Sequence, residues 1–515
     1  MNWLILSITF CALTSFVGSY NILGLFPHPG ISHFNFFHPI MRGLAEAGHN
    51  VTVISHFPDR KPVENYTDLV LPPVDLFINT VDLKALTKRR FYTPLKIFFS
   101  LHEWGEEACR NTFESEALEK VLSGDIQFDA IIMEQFNTDC LMAVAHILKV
   151  PVVALSSCPL MPWHYERMGN PIIPSYIPAL FLDQSENIDF LSRVGNWFIY
   201  HGYNFLYNQY NHKLATELVR QRFGQHMPDT RELSMETSVF FVNQHYSLTG
   251  AKPLSPAVIE LGGIHIQGQT EPLNEDIQSF LDSAEHGVIV FSWGSMVRTE
   301  TLAPEKLEAI LKAFKRLKQK VIWKWENNTL PHQPKNVFIS KWLPQKDILS
   351  HPNVKAFMTH GGLLGSIEAA YFGIPVVITP MFADQYHNAA TLVDRGMGTI
   401  LHFEDITEAT VFNALTTVLD KKFMDNAKNI AHSFKKRPKT AMETAIWWVE
   451  HVIETKGAPL TKSISSRMSR FAYYSLDVYT FLAVVIFLTV SACQFLINNV
   501  GRIWRKPLED KVKIM

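Results

Sequence analysis

The sequence predicts an α/β protein in which two doubly wound, Rossmann-like lobes face a cleft, followed by one C-terminal transmembrane helix. Three observations carry this. A strand, loop, helix, strand pattern opens near residue 21 and again near residue 287. Short apolar runs of the kind buried in parallel sheets follow each opening. Residues 478–500 hold no charged side chain and are long enough to cross a bilayer as a helix. At 515 residues the chain has length for two or three domains that each bury a core.

In the first half, residues 21–26 (NILGLF) form a strand ended by Pro27 and a Gly/Pro-rich loop to Gly30. Residues 34–47 carry helical apolar spacing closed by Gly48, and residues 51–55 (VTVIS) form the second strand. Residues 130–133 and 152–156 repeat the buried-strand pattern, with a helix over 140–148 between them. In the second half, residues 287–293 (GVIVFSW) are a strand, Gly294-Ser295 a turn, and 304–317 a helix with a charged face. Further strands are expected at 320–325, 337–340, 356–359 and 376–379. Residues 253–268, with Pro253, Pro256 and Gly262-Gly263, read as the linker between a lobe at 20–252 and a lobe at 269–455. The aromatic-rich stretch 190–210 has three readings: a helical core, the wall of an apolar pocket, or a contact with a membrane interface.

The ends place the chain. Residues 4–16 are apolar and too short to span, and Val17-Gly18-Ser19 follows as a cleavage site, so residues 1–19 read as a secretory signal. After a juxtamembrane segment at 456–477 and the span at 478–500 come Arg502, Arg505, Lys506, Lys511 and Lys513. Positive charge stays on the cytosolic side, which makes 501–515 a cytosolic tail and the lobes lumenal, a type I topology. Lysines three and five positions from the end resemble a dilysine retrieval signal, which points to the endoplasmic reticulum membrane. A lumenal location makes the sequons at Asn50, Asn65 and Asn327 usable and allows at most one disulfide among Cys109, Cys140 and Cys158.

Composition removes whole classes. Lys plus Arg total 47 against 49 for Asp plus Glu, so no global basic field exists to hold a nucleic acid. A hydrophobic fraction of 47% with a net charge of −2 excludes a mostly disordered chain. Five cysteines are too few for a disulfide-built scaffold.

Chemistry concentrates in residues 342–385. A buried strand ends at Thr359, and His360-Gly361-Gly362 then opens a helix carrying Ser366 and Glu368. Glycines at a strand-to-helix turn let backbone N–H groups approach an anion, and a histidine there can donate to phosphate oxygen. Glu368, one turn on, can accept from ribose hydroxyls, and Trp342 can stack on a flat base.

This string, with Phe291-Ser292-Trp293-Gly294-Ser295 and the two ends, closely resembles the UDP-glycosyltransferase family: glycosyltransferase family 1, of GT-B architecture. The resemblance covers nearly the whole chain and is most similar to the animal, particularly arthropod, branch. It implies that Trp342 stacks on uracil with Gln345 beside the base and ribose, and that Glu368 holds the ribose. Ser295, His360, Gly362 and Ser366 would bind the diphosphate, and Asp384 and Gln385 the sugar hydroxyls. His33, in Ser32-His33-Phe34, would take the proton of an acceptor hydroxyl as it attacks the anomeric carbon with inversion; His28 and His38 are its rivals by proximity. The carboxylate that supports the base would be Asp139, with Glu134 as competitor, and Asp139 also reads as a plain helix N-cap.

No Asp-x-Asp motif or clustered His/Cys set appears, so metal-independent transfer is expected, with no cofactor beyond the UDP-sugar co-substrate. The expected acceptor is a small lipophile such as a phenol, a sterol or a plant-derived or foreign compound. The arthropod likeness favours glucose over the glucuronic acid of vertebrate relatives. A homo-oligomer is compatible with the sequence. The alternative from another class is a non-catalytic lumenal protein that binds UDP-sugar or lipophile; a phosphorylase or epimerase on the same two lobes is a third.

Overall fold

The computed structural model describes residues 18–61, 63–86, 93–266 and 271–512, with side chains described through residue 500. The predicted signal, apart from Gly18 and Ser19, lies outside the described residues, as do Lys513 and the last two linker positions. The described residues form two compact units, divided between Lys462 and Ser463.

The first unit contains two all-parallel sheets. The N-terminal one has seven strands: β1 (Asn21–Phe26), β2 (Asn50–Ser55), β3 (Tyr66–Val70), β4 (Ala130–Glu134), β5 (Val152–Ser156), β6 (Val239–Val242) and β7 (Val258–Glu260), in the order β3-β2-β1-β4-β5-β6-β7. The second has six: β8 (Val288–Ser292), β9 (Lys320–Lys324), β10 (Val337–Ser340), β11 (Val354–Thr359), β12 (Val376–Ile378) and β13 (Gly398–Ile400), in the order β10-β9-β8-β11-β12-β13. Each sheet runs outward from its first strand in both directions. The strand order therefore reverses between β1 and β4 and again between β8 and β11, and a parallel sheet opens a ligand crevice at such a point, beyond the carboxyl ends of its strands.

The apolar runs are buried as the sequence predicts. All five residues of β4, β5 and β8 are buried. Helix Ile31–Glu46 lays Phe36, Phe37, Ile40, Met41 and Leu44 on the first sheet, each contributing about 1.5–3 kcal/mol by burial.

The domain boundaries differ from the sequence reading in three ways. Val258–Glu260, inside the expected linker, is the edge strand β7 and pairs with β6. Helix Ala441–Glu454, expected in the second lobe, packs Ala441, Ala445, Val449 and Val452 into the core of the first; an amphipathic helix goes where its apolar stripe finds cover, which chain position does not reveal. In exchange, Val81–Asp82 leaves the first lobe to pair in parallel with Val297–Arg298, and Leu83 joins the second lobe's core.

Residues 190–210 are helical. Helix Phe190–Leu206 runs through a π turn at Tyr207–Asn211 into helix His212–Phe223. Tyr200, Tyr203 and Tyr207 are buried, while Phe190, Trp197, Phe198, Phe205 and Tyr210 are exposed. Of the three cysteines, Cys109 and Cys140 form the disulfide and Cys158 is buried and free.

The second unit contains helix Leu476–Val512. Within its first 25 residues, Leu476–Val500, an 18-residue window reaches a mean hydropathy of 2.3, and none of that window is buried. This apolar stretch starts two residues before the expected span.

Candidate active site

Both reversal points open onto one cleft of roughly 1180 Å³, lined by residues of both lobes. On the first lobe, β1 ends in the loop Pro27–Gly30 and helix Ile31–Glu46 follows, so His33 sits in the helix's first turn facing the cleft. β4 lies beside β1, with Met133 opposite Leu25. Its last residue, Glu134, therefore reaches the same spot: His33 Nδ1 and Glu134 Oε1 are 2.5 Å apart. Ser157 Oγ, just after β5, lies 3.0 Å from the same nitrogen. With Nδ1 occupied, Nε2 is the ring nitrogen left for a substrate.

Burial pushes both partners toward their neutral forms, His33 down to about 3 and Glu134 up to about 7. The helix N-terminus above His33 adds to this, since its partial positive charge disfavours an imidazolium. The imidazole thus rests unprotonated, and while Glu134 is ionised it holds the ring proton on Nδ1 and leaves the Nε2 lone pair free, which is what a general base requires.

Asp139 is elsewhere. It is buried, accepts two hydrogen bonds from Arg167 and one from Tyr207 Oη at 2.7 Å, and no bond joins it to His33. The expectation that Asp139 supports the base gives way to Glu134, and Asp139 instead anchors the π turn through Tyr207. The position at the carboxyl end of a strand beside β1 was the sequence signal for Glu134. His38, the other rival, is paired with Asp59 at 2.9 Å.

On the second lobe, β11 ends at Thr359 and His360 follows at the head of helix Leu363–Phe372. No side chain caps that helix, so its first amides are open to an anion. His360 is half-buried, with Nδ1 itself buried and unpartnered, and desolvation, with the Lys324 charge second, pulls it down to about 4. It therefore offers an N–H to a phosphate oxygen but no charge. Two glycines make room for it: Cβ atoms added at Gly294 or Gly362 would stand 2.5 Å from its ring.

Ser295 lines the cleft, and its carbonyl accepts from the Asn79 amide at 2.8 Å, tying the loop to the opposite lobe. Ser366 does not line the cleft: it is fully buried and its hydroxyl donates to the Gly362 carbonyl at 3.0 Å. The diphosphate role expected for it is not supported by its placement, because a serine one turn into a helix bonds back to its own backbone.

Further along, Trp342 is half-exposed at the cleft wall. Gln345 Nε2 donates to Glu368 Oε2 at 2.6 Å, which fixes the carboxylate, while Oε1 lies 3.6 Å from His265 Nε2, too far for a hydrogen bond, and is the freer oxygen. Asp384 and Gln385 follow Ala383, whose φ of +53° is a left-handed conformation rare outside glycine. Asp384 accepts from Asn388 at 2.8 Å, and burial raises its carboxyl to about 6. Gln385 Oε1 accepts from the Met381 and Phe382 amides, leaving its NH₂ as the donor. Asp384 also acts electrostatically on Cys158, next to Ser157, so the two halves of the site meet across the cleft.

The apolar end of the cleft is built by Ile97, Leu101, Trp104, Phe136, Met161 and Phe181. No residue of 190–210 lines it; Tyr203 backs the wall through Phe98 and Phe181.

His28, His33 and Glu134 place three possible metal-ligand atoms within 4.8 Å of one another. The two imidazoles lie parallel, 3° apart with centroids at 3.8 Å. An ion in the plane of one ring would lie out of the plane of the other, so both lone pairs cannot address it without breaking the stack.

Residues 32–506 match the family described as UDP-glucoronosyl and UDP-glucosyl transferase. The chain is 36% identical to UDP-glucosyltransferase 2 of Dactylopius coccus, over 98% of each chain. It is also 36% identical to UDP-glycosyltransferase UGT5 of the same species, over 93% of this chain and 92% of that one. To UDP-glucuronosyltransferase 2B1 of Rattus norvegicus it is 30% identical, over 91% and 92%. Among solved structures, CalG4, the calicheamicin glycosyltransferase, superposes with a TM-score of 0.55 at 17% identity, covering 85% of this chain and 98% of that one. The glycotransferase of kitacinnamycin gives 0.53 at 15% identity, over 85% and 99%. At these identities the likeness is one of fold, the two-lobed GT-B architecture.

Proposed function

The chain belongs to the UDP-glucoronosyl and UDP-glucosyl transferase family, and from that premise we propose that it transfers glucose from UDP-glucose to a hydroxyl of a small lipophilic acceptor, with His33 as base. The observation that carries the reading is the His33–Glu134 pair, 2.5 Å apart, with His33 lining the same cleft as Asp384 and Gln385. An acceptor held against the apolar end presents its hydroxyl to His33 Nε2. As the oxygen attacks the anomeric carbon, its proton passes to Nε2, and Glu134 stabilises the imidazolium that forms. Attack from the first lobe on a donor held by the second inverts the anomeric centre.

UDP departs against the open amides of helix Leu363–Phe372 and the His360 N–H, so the charge that develops is met by fixed dipoles. The reading is metal-independent, supported by the parallel stack that keeps His28 and His33 from sharing an ion. Two features favour a neutral sugar. Asp384 is acidic where the sugar hydroxyls would lie, and among the described lining residues the cations are Lys96, Lys324 and Lys346, with no arginine. Lys324 is already engaged by Glu326 at 2.7 Å and Asn79 at 3.1 Å.

The same reading places the lobes in the lumen of the endoplasmic reticulum, with a conjugating role toward lipophiles. It is supported by the span Leu476–Val500, by the Cys109–Cys140 disulfide, which needs an oxidising compartment, and by the exposure of Asn50, Asn65 and Asn327 for glycosylation.

The test is product mass spectrometry on microsomes carrying the full chain. UDP-glucose and UDP-glucuronic acid are supplied separately, each with a panel of phenols and steroids, with and without EDTA. A hexose conjugate that forms equally in EDTA supports the reading. A glucuronide overturns the choice of sugar, and loss of product in EDTA overturns metal independence. UDP binding with no conjugate from any acceptor favours the binding protein.

A further inference from the structure

We propose that His28 is a positioning residue for the base: its ring lies flat against His33, locking the base's plane and keeping water off one face. The proposal rests on the assignment of His33 as base. The ring centroids are 3.8 Å apart and the planes 3° from parallel. His28 Nδ1 accepts the Gly30 N–H at 3.0 Å. That bond fixes the neutral tautomer with its proton on Nε2, and it ties the ring to the turn that launches the helix carrying His33. Gly30 is needed for it, since a Cβ there would lie 2.8 Å from the His28 ring.

The stack has backing on its edges. Phe77 and Phe136 meet His28 edge-on at 5.5 and 6.1 Å, and Phe136 meets His33 edge-on at 5.2 Å. Rotation of the His33 ring out of its plane would break the bond to Glu134 and turn Nε2 away from an acceptor. It would also drive the ring's edge into His28, where the centroid spacing leaves no clearance. Glu134 alone permits a swing about the Nδ1–Oε1 axis; Glu134 together with a flat ring on one face does not.

The groups that act on this stack are Glu134 at the end of β4, His56, which acts on His28, and Ser157 after β5, whose Oγ lies 3.0 Å from His33 Nδ1. His28 is itself buried, and burial, then the neighbouring His33, pulls it down to about 3. It therefore stays neutral while His33 takes up a proton, and presents a ring face to the cation rather than a second charge.

Two substitutions separate the ring from its hydrogen bond. His28→Asn keeps an oxygen where Nδ1 accepts from Gly30 and removes the ring. His28→Phe keeps a ring face and removes the acceptor. The readout, on the full-length chain in detergent, is the pH dependence of deuterium exchange at the ring C2 of His33, which reports its protonation without turnover. Transfer from UDP-glucose to 1-naphthol is followed alongside. We expect His28→Phe to leave the His33 titration at its wild-type position. In His28→Asn it should rise toward the ordinary histidine value, by roughly one pH unit or more, as water reaches the uncovered face. The kcat should follow the same order, about tenfold lower in His28→Asn with KM for UDP-glucose within about twofold. A His28→Asn titration that matches wild type, or a His28→Phe titration displaced as far as that of His28→Asn, overturns the proposal. His33→Ala is run in parallel to judge the base assignment by itself. If it still transfers, the base reading fails and the positioning role falls with it; if it is inactive, the stack stands or falls on the two His28 variants alone.

Discussion

Arg167 donates to both carboxylate oxygens of Asp139, Nη1 to Oδ1 at 2.8 Å and Nη2 to Oδ2 at 2.6 Å, with both side chains buried. The pair holds the Asp139 carboxyl well below the usual carboxylate range despite its burial. That makes it an acid committed to structure, and it separates two carboxylates only five positions apart in the chain.

The separation is testable. Glu134→Gln removes the charge beside His33 while keeping shape, so kcat should fall by roughly 10²–10⁴-fold with little change in thermal stability. Asp139→Asn leaves a buried guanidinium without its counter-charge, so stability should fall by about 3–5 kcal/mol. Because Asp139's folded-state pKa is depressed, the stability it adds is present above its unfolded value and lost as pH falls toward and below that value. Thermal unfolding against pH, beside steady-state kinetics, distinguishes the two. Equal loss of kcat in a stably folded Asp139→Asn would return Asp139 to the reaction.

A second prediction concerns pH. Glu134 is raised to about 7 by burial, while His33 is held near 3 and stays unprotonated across the working range. As pH falls through about 7, Glu134 gains a proton and donates to Nδ1 instead of accepting from it. The ring then carries its proton on Nε2, and the lone pair that takes the acceptor's proton is gone. The kcat/KM should therefore drop about tenfold per pH unit on the acid side, with an apparent value that belongs to the pair. In Glu134→Gln this limb should vanish, since an amide does not titrate, although the plateau is lower. A limb that persists unchanged in Glu134→Gln assigns it to another group.

The third prediction concerns the diphosphate. His360 fits because Gly294 and Gly362 lack side chains, and Gly294 has a φ of +79°, where other residues are strained. Gly362→Ala should displace the imidazole and weaken UDP binding about tenfold, close to the effect of His360→Ala. Gly294→Ala should do the same and also lose about 1 kcal/mol of stability. Isothermal titration of UDP into the full-length variants measures both. Unaltered affinity in Gly362→Ala would mean that His360 does not face the phosphates.

What the sequence revealed and what it hid divide along a physical line. Strands β1, β4, β5 and β8 are largely continuous apolar runs, because each is buried on both faces, so they are legible without a partner. The glycines beside His360 were legible too, since a strand-to-helix turn that needs them is a local requirement. Ser366 was misplaced because its hydroxyl can satisfy a carbonyl one turn back as readily as a ligand. Asp139 is ranked above Glu134 from sequence and the structure reverses the order, because the deciding partner, Arg167, comes 28 residues after Asp139 and is brought in only by the fold. The move of Ala441–Glu454 onto the first lobe was hidden for the same reason: its apolar stripe is visible, but the surface it covers is not.

The last prediction separates donor affinity from chemistry. Trp342 is half-exposed with its ring at the cleft wall, while Gln345 and Glu368 form a fixed pair beside it. In the proposed reading this group holds the base and ribose of the donor, while His33 acts at the sugar. Interactions made equally in ground and transition states change KM and leave kcat alone. Stacking on a base contributes about 1–3 kcal/mol, so Trp342→Ala should raise KM for UDP-glucose by roughly 10–100-fold at nearly constant kcat, and Trp342→Phe should recover most of it. Glu368→Gln should also raise KM, because Gln345 already occupies one carboxylate oxygen and the other is the freer one for a ribose hydroxyl. Competition by UDP against the donor should weaken in parallel for each variant, since the sugar plays no part in these contacts. A fall in kcat with KM unchanged would instead put Trp342 against the reacting sugar and reverse the orientation of the donor in the cleft.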